Sequence, residues 1–289
     1  MPAGLAGFLV LFLFLSASWM IVRWIMDEAR GLDEFTIDPT QVRCSARPEW
    51  LDMSSDTASD IMSRVRGTLS RFRNQSIFND RFLQLLREDL ARGCPWVEVV
   101  VAAEREFPSQ LKVRLRLRRP ASVFYRRSTG FYVDSRGVVI DAFPISRREN
   151  IAAAGLPVIR GADLSAPPRP GQVFQDEALR EGAAVGTEIL GLARLLGSRM
   201  VPIESIDVSG YGRGRPDDVV LITEGNTRLL WGRSARHAEY RGIDPSLEEK
   251  ADNLGKVLAA RPGLKGVAEV TLTFRKPSYS LKIDGVTDS

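Results

Sequence analysis

The chain contains a single histidine and only two cysteines among 289 residues, and this scarcity limits the chemistry that it can perform. A metal site or a nucleophilic triad built on His237 would need partner residues, and the local sequence suggests none. We therefore predict a surface histidine, no metal and no cofactor. The spacing of Cys44 and Cys94 matches no metal-binding or redox motif. A disulfide in an oxidising compartment and two buried thiols both fit the pair.

The charge balance is too even for a typical nucleic-acid-binding protein. The chain has 40 Lys and Arg residues against 36 Asp and Glu residues, a formal net charge of +4. Nucleic-acid binding usually requires a concentrated basic footprint. The carboxylate pairs Asp217-Asp218 and Glu248-Glu249 are typical of a turn and a helix start, and the glycines of 210–214 lack the Lys-Ser/Thr of a phosphate-binding loop. The sequence therefore predicts a protein that is not an enzyme.

One long apolar run begins the chain. Residues 2–22 contain no charge, and Arg23 ends the run. Its length meets the requirement of about 20 residues for a helix that spans a bilayer. A cleaved signal peptide is the alternative, with Ser16-Ala17-Ser18 as the cleavage region, but no Lys or Arg precedes the run. We favour a transmembrane anchor over residues 1–26, followed by a juxtamembrane linker over 27–40.

Residues 41–120 show the pattern of a strand, two helices and two further strands. Apolar residues at helical spacing predict helices over Ser59–Leu69 and Asn79–Ala91. The clearest strand signal is 111–119, where Leu and Val alternate with Lys and Arg. The basic face of this strand could meet anionic lipid or an acidic partner, and a solvated strand face is the alternative. This possible basic surface consists of Lys112, Arg114, Arg116 and Arg118.

Residues 121–289 predict a mixed β-sheet with two helices. The first helix covers Glu177–Leu196, and the second opens where Ser246 and Glu249 have the spacing of a capping box. The chain closes with two strands, 267–274 and 279–283. The predicted fold class is therefore α+β: an N-terminal transmembrane helix, a β-α-α-β-β domain, and a mixed sheet domain with two helices.

Five short motifs follow one another between residues 94 and 161. They are Cys94-Pro95-Trp96-Val97, Arg105 with Phe107-Pro108 and Leu111-Lys112-Val113, Arg119-Pro120-Ala121, Tyr132-Val133-Asp134 with Gly137-Val138-Val139, and Leu156-Pro157-Val158 with Gly161. In this order and spacing they resemble the POTRA domain and the following β-domain of the FtsQ/DivIB family of bacterial cell-division proteins. Two features depart from the family pattern: the segment before the apolar run is nearly absent, and Arg43-Cys44-Ser45 replaces the usual Val-x-Gly strand exit.

The resemblance implies a POTRA domain over residues 41–120 and an FtsQ-type β-domain over 121–289. It also implies a non-catalytic divisome scaffold that recruits small coiled-coil partners of the FtsB and FtsL type and bridges them to the septal peptidoglycan synthesis machinery. The N-terminus would lie in the cytoplasm, with both domains outside the inner membrane at the division septum. The charge bias around the apolar run does not supply this orientation by itself.

The last strand is the partner-binding site that we predict. A C-terminal strand is often a sheet edge, whose backbone groups can accept another chain by β-augmentation. In the family, a strand in this position accepts FtsB, and an ordinary covered strand is the alternative here. The predicted contact residues are the strand and its approach: Tyr279, Ser280, Leu281, Lys282, Ile283, Leu272 and Phe274.

Two other functions stay open at this point. A POTRA-containing protein for secretion or outer-membrane assembly would need many lipid-facing strands after residue 120, and the remaining chain is short and interrupted by helices. A membrane-anchored envelope hydrolase would need a pocket with convergent titratable groups around His237, Asp217 or Glu224.

Overall fold

The structure is a computed structural model, and it describes residues 3–30, 32, 35–38, 42–46, 48–51, 55–73, 75–76, 78–79, 81–106, 109–147, 155–213, 218–237 and 244–282. The chain divides into two compact units, Met1–Leu117 and Arg118–Ser289. The predicted domain boundary, after residue 120, falls close to this division.

Helix α1 covers Ala3–Arg30. Several of its large apolar side chains are exposed, among them Phe12, Trp19 and Trp24. A helix that spans a bilayer needs about 20 predominantly apolar residues. Within the described ranges, no helix has both the length and the apolar character for this. The finding contradicts the predicted transmembrane anchor over 1–26, the fold class that includes it, and the single-pass localisation in the inner membrane at the septum.

Part of the predicted linker makes specific contacts in the first unit. Ile37 is buried, and its backbone N–H donates to the carbonyl of Gln75 at 2.9 Å. The ring of Phe35 lies 5.1 Å from that of Phe78. Apolar packing and a backbone hydrogen bond therefore hold residues 35–37 in place.

The first unit contains the predicted order of strand, two helices and two strands. Over its described residues, β1 (Arg43–Ser45), β2 (Val97–Glu106) and β3 (Gln110–Leu117) form a sheet of order β1-β3-β2. Strand β1 is parallel to β3, and β2 is antiparallel to it. Helices α2 (Asp56–Leu69) and α3 (Phe82–Gly93) connect β1 to β2.

The core of this unit follows the periodicity of its sequence. One face of β3 is buried, and α3, which packs against α2 and β2, buries one stripe. A fully buried Leu or Phe contributes roughly 2 kcal/mol in apolar transfer free energy. The residues of these two faces are Leu111, Val113, Leu115 and Leu117 on β3, and Phe82, Leu86 and Leu90 on α3.

The second unit is a mixed sheet with two helices. Within the described residues the sheet has nine strands in the order β12-β11-β10-β9-β8-β7-β4-β5-β6. Its strands are β4 (Ser122–Arg126), β5 (Thr129–Val133), β6 (Val139–Pro144), β7 (Val158–Arg160), β8 (Ile203–Asp207), β9 (Val220–Thr223), β10 (Arg228–Leu230), β11 (Val267–Thr271) and β12 (Ser278–Leu281). The helices are α4 (Glu177–Leu196) and α5 (Leu247–Ala260).

Helices α4 and α5 pack against each other and contribute to one continuous core with the sheet. The core includes Leu179 and Leu192 of α4, Leu254 of α5, and strand residues such as Ile206 and Val270. The predicted capping box at Ser246 and Glu249 is present at the start of α5. It satisfies backbone N–H groups that the first helical turn leaves unpaired.

Two glycines of α4 allow the helix to approach the sheet closely. A Cβ at Gly186 would lie 2.7 Å from the carbonyl oxygen of Ala121, and one at Gly182 would lie 2.9 Å from Cγ2 of Ile159. Glycine weakens a helix by about 1 kcal/mol relative to alanine. At these two positions the close packing of α4 on β4 and β7 explains why the residue is glycine.

Candidate functional site

The last described strand, β12, lies at one end of the nine-stranded sheet. It pairs with β11 antiparallel, with Tyr279 opposite Val270 and Leu281 opposite Val267. Over the described part of the chain, no strand pairs with its other side. The sequence prediction of a terminal edge strand therefore agrees with the topology, whereas its binding of a partner stays a prediction.

The backbone of β12 offers hydrogen-bonding groups to the outside of the sheet. The N–H of Lys282 donates inward to the carbonyl of Gly266 at 2.9 Å. Consecutive residues of a strand direct their backbone groups to opposite sides. The backbone groups of Leu281 and Tyr279 therefore point away from β11, as β-augmentation requires.

The side chains of β12 extend the apolar face of the sheet beyond its core. Paired residues on neighbouring strands share a face, and Val267 and Val270 belong to the core. Tyr279 and Leu281 lie on that same face, but they are 42% and 49% exposed. An added strand would cover this apolar margin.

The other predicted contact residues occupy different environments. Ser280 and Lys282 are exposed, and Phe274 is 57% exposed. Leu272 is fully buried in the core, so it cannot touch a partner; the prediction missed this because the strand pattern does not show which end of β11 is covered. Ile283 lies outside the described residues.

The predicted basic surface is largely neutralised. Arg114 pairs with Glu104 at 3.5 Å and Arg116 with Glu98 at 2.9 Å across β2 and β3, and Lys112 lies opposite Glu104 in the strand register. This geometry favours the solvated strand face over an anion-binding surface.

Arg118 does not belong to that basic surface. Its side chain is only 15% exposed and donates to Oδ2 of Asp134 at 2.8 Å. The other oxygen of Asp134 accepts the backbone N–H groups of Arg136 and Val138, so this carboxylate orders the turn between β5 and β6. The alternation that predicted an exposed Arg118 stops where β3 ends at Leu117.

A buried polar cluster lies between α4 and the segment Trp231–His237, which has no regular secondary structure. We call Glu181, Glu188, Lys250 and this segment the α4 polar cluster. Glu181 accepts hydrogen bonds from the backbone N–H of Ser234 and, at 2.9 Å, from its hydroxyl. Nε2 of His237 lies 3.0 Å from the same carboxylate. The single histidine is therefore partly buried against an acid, contrary to the predicted surface position.

Glu188 and Lys250 complete the α4 polar cluster. Glu188 accepts hydrogen bonds from the indole Nε1 of Trp231 at 2.8 Å and from the N–H of Ala235 at 2.6 Å. Lys250 lies 4.4 Å over the Trp231 ring and donates to the carbonyl of Arg233 at 3.2 Å. Burial raises the pKa of Glu188, against the opposing effects of its two donors and of Lys250. Burial likewise lowers the pKa of Lys250, although Glu188 opposes this.

The order of groups in the cluster differs from that of a nucleophilic triad. In a triad the histidine lies between the nucleophile and the acid. Here Glu181 lies between Ser234 and His237 and accepts the hydrogen bond of the serine hydroxyl, so the imidazole is not placed to deprotonate that hydroxyl. A cleft of about 440 Å³ borders Ser234, His237 and Lys250. Glu224, which the envelope-hydrolase alternative would place in such a pocket, is an exposed turn residue. Asp217 lies outside the described residues.

Metal binding finds no support in the part of the chain that the structure describes. There, no group of three or more His, Cys, Asp and Glu side chains could hold a metal ion. Cys44 and Cys94 are both thiols, and burial raises the pKa of Cys44 to about 11, partly opposed by the charge of Arg66. A thiol with so high a pKa is a poor nucleophile at neutral pH.

The sequence interpretation overlooked the α4 polar cluster, although a signal was present. Glu181 and Glu188 are seven residues apart, two helical turns, and therefore share one face of α4. Val185 and Leu192 of that face are buried. Acidic residues on the apolar face of a predicted helix indicate a buried polar contact, because burying a charge without partners is costly.

The chain matches no protein-family model and no curated protein. The resemblance to the FtsQ/DivIB family therefore stays a prediction that rests on the five motifs.

Proposed function

We propose that the chain is a non-catalytic scaffold that binds an extended segment of a partner protein along β12. On the family resemblance, it serves the bacterial divisome by recruiting FtsB/FtsL-type coiled-coil proteins and bridging them to the septal peptidoglycan synthesis machinery. The observation that carries the proposal is the outer side of β12, with which no described strand pairs and toward which the backbone groups of Tyr279 and Leu281 point.

The side chains around β12 indicate the chemistry of the partner segment. A strand added beside Tyr279 and Leu281 would bury apolar residues on that face and place polar residues opposite, beside Ser280. The exposed cations Arg275 and Lys276 lie three and two residues before β12 begins at Ser278. They favour acidic residues in or beside the partner strand, since complementary charge speeds association and fixes register.

Co-purification from cells tests the proposal with a matched pair of variants. Leu281 and Leu195 are each 49% exposed, the first on β12 and the second on α4. Leu281→Glu places a desolvated charge in the expected interface. We expect the wild-type protein and Leu195→Glu to retain small coiled-coil partners, and Leu281→Glu to lose them while its circular dichroism and melting temperature stay close to wild type.

The opposite result would remove the proposal. If Leu281→Glu folds and keeps the partners as well as Leu195→Glu does, β12 is only a structural strand. If the wild-type protein brings down no division protein, the resemblance extends to the fold alone.

A further inference from the structure

Strand β12 has few contacts of its own. All four of its residues are exposed, and within the described residues only β11 pairs with it. Little apolar burial therefore stabilises the strand, and a strand of this kind belongs to the parts of a protein that open most easily. Its order depends on what holds its two ends.

The C-terminal end of β12 is held by Lys282. Its backbone N–H donates to Gly266, and its Nζ donates to the carbonyl of Gly225 at 3.1 Å. Gly225 belongs to the turn between β9 and β10. Both groups of Lys282 thus attach the end of β12 to neighbouring parts of the sheet.

The approach to β12 is held by a buried side chain of α5. Asn253 is only 2% exposed, and its Nδ2 donates to the carbonyl of Phe274 at 3.1 Å. Just before this point, the N–H of Leu272 donates to Leu230 at 3.0 Å. This contact lies four residues before β12 begins at Ser278, and the fully buried Leu254 beside Asn253 fixes its position in the helix.

We infer that Asn253 is a positioning residue for the partner-binding edge: by holding the carbonyl of Phe274 it keeps β12 extended before any partner arrives. A strand that is already ordered loses less conformational entropy on binding than one that must first form. Asn253 also fixes the backbone that presents the exposed Phe274 ring. The effect on partner binding rests on the proposed function, whereas the effect on the order of β12 does not.

Hydrogen exchange on the full-length protein tests the positioning role without a partner. Asn253→Leu keeps a side chain of similar size and removes the donor. We expect the inward amides of Ser280 and Lys282 to exchange about tenfold faster, with little change in the amides of β8. Asn253→Ser, whose short hydroxyl cannot reach Phe274, gives the same local result if the leucine variant does not fold.

The matched control removes a comparable hydrogen bond elsewhere. Ser234 is 3% exposed, and Ser234→Ala deletes its hydroxyl contact with Glu181. We expect this variant to leave the Ser280 and Lys282 amides no more affected than those of β8. Unchanged exchange at these amides in both Asn253 variants, or a uniform rise across the sheet, overturns the positioning role.

Co-purification with the same variants separates this inference from the proposed function. We expect Asn253→Leu to weaken partner capture although Tyr279 and Leu281 are intact. Faster exchange with full partner capture overturns the link between strand order and binding. Absence of a partner with the wild-type protein overturns the proposed function, and the exchange result then still supports the role of Asn253 in ordering β12.

Discussion

The two edge strands of the nine-stranded sheet, β6 and β12, differ in how their outer backbone groups are paired. At the β6 end, Val138 forms a bridge with Val173, the N–H of Val139 donates to Gln172 at 2.8 Å, and the N–H of Gly171 donates to Val139 at 2.7 Å. At the other end, no described residue pairs with the outer side of β12. Over the described residues, the sheet therefore has one covered edge and one open edge.

The difference shows where this chain tolerates an exposed edge. Unpaired edges invite unwanted strand pairing, and proteins usually cover, bulge or shorten them. In the first unit, β2 shifts its register after Val97 and again after Val100, and such bulges bend an edge strand away from new partners. Strand β12 is short, yet it carries Tyr279 and Leu281 half exposed, which is the combination expected of a binding edge.

The largest effect that we expect comes from breaking the covered end. Asp134→Ala removes the acceptor for Arg136, Val138 and Arg118 and leaves the buried Arg118 without its carboxylate. We expect a loss of about 3 kcal/mol in the free energy of unfolding, measured by urea titration. The folded fraction should still capture a partner through β12.

Two variants control this prediction. Asp134→Asn keeps an oxygen for the turn and loses only the charge, so it should be less damaging than the alanine. Asp252→Ala removes an exposed ion pair with Lys256 and should change stability by less than about 0.5 kcal/mol. A loss of partner capture in folded Asp134→Ala would contradict the independence of the two edges.

The next effect concerns the open end. Leu281→Pro removes the N–H of residue 281, one of the outward N–H groups of β12, as well as the side chain, whereas Leu281→Ala removes only the side chain. Since a backbone hydrogen bond contributes about 1 kcal/mol, we expect the proline variant to bind a partner about fivefold more weakly than the alanine variant. Titration of both variants with the co-purified partner measures this, and equal affinities would exclude pairing through that N–H.

The smallest effect that we expect is a pH dependence of the free energy of unfolding, caused by Glu188 in the α4 polar cluster. Burial raises the folded-state pKa of Glu188 above its usual 4.5, so the folded protein binds this proton more tightly than the unfolded chain. The stabilisation is complete below the unfolded pKa and is lost as the pH rises through the folded pKa. Urea titrations of the wild type should therefore show this loss on going from acid to neutral pH.

Glu188→Gln should lack that part of the pH dependence, and Glu204→Gln, at an exposed ion pair with Arg160, should retain it. Identical pH profiles for the wild type and Glu188→Gln would contradict the raised pKa. Glu188 does not belong to the β6 end of the sheet. The protection of the Val139 amide from hydrogen exchange should therefore be the same in the wild type and in Glu188→Gln at each pH.

Much of the fold could be predicted because its signals are local. The helix predicted over Glu177–Leu196 has those same bounds in the structure, and the alternation in β3 correctly separates buried from exposed residues up to Leu117. The start of α3 was placed too early, at Asn79 instead of Phe82. There the Asn79 side chain accepts the N–H of Arg81 in a turn before the helix.

The site was predicted less completely, since its properties depend on distant parts of the chain. Leu272 is buried because it joins a core built from residues far away in the sequence and lies beside the end of β10, where its N–H donates to the carbonyl of Leu230. That His237 meets Glu181 follows from the path of a segment without regular structure. No periodic pattern and no motif in the sequence indicates the burial of Leu272 or the contact between His237 and Glu181.

The sequence by itself indicated helices α2 to α5, most of the strands and the position of a last strand with large apolar residues, because hydrophobic period and capping chemistry act over a few neighbouring residues. It did not predict β4. Only the tertiary structure decided which edge of the sheet is covered and which is open, that Arg118 pairs with Asp134, and that Asn253 holds the carbonyl of Phe274. These outcomes depend on hydrogen bonds and packing between residues far apart in the chain, where the identity of one partner does not reveal the other.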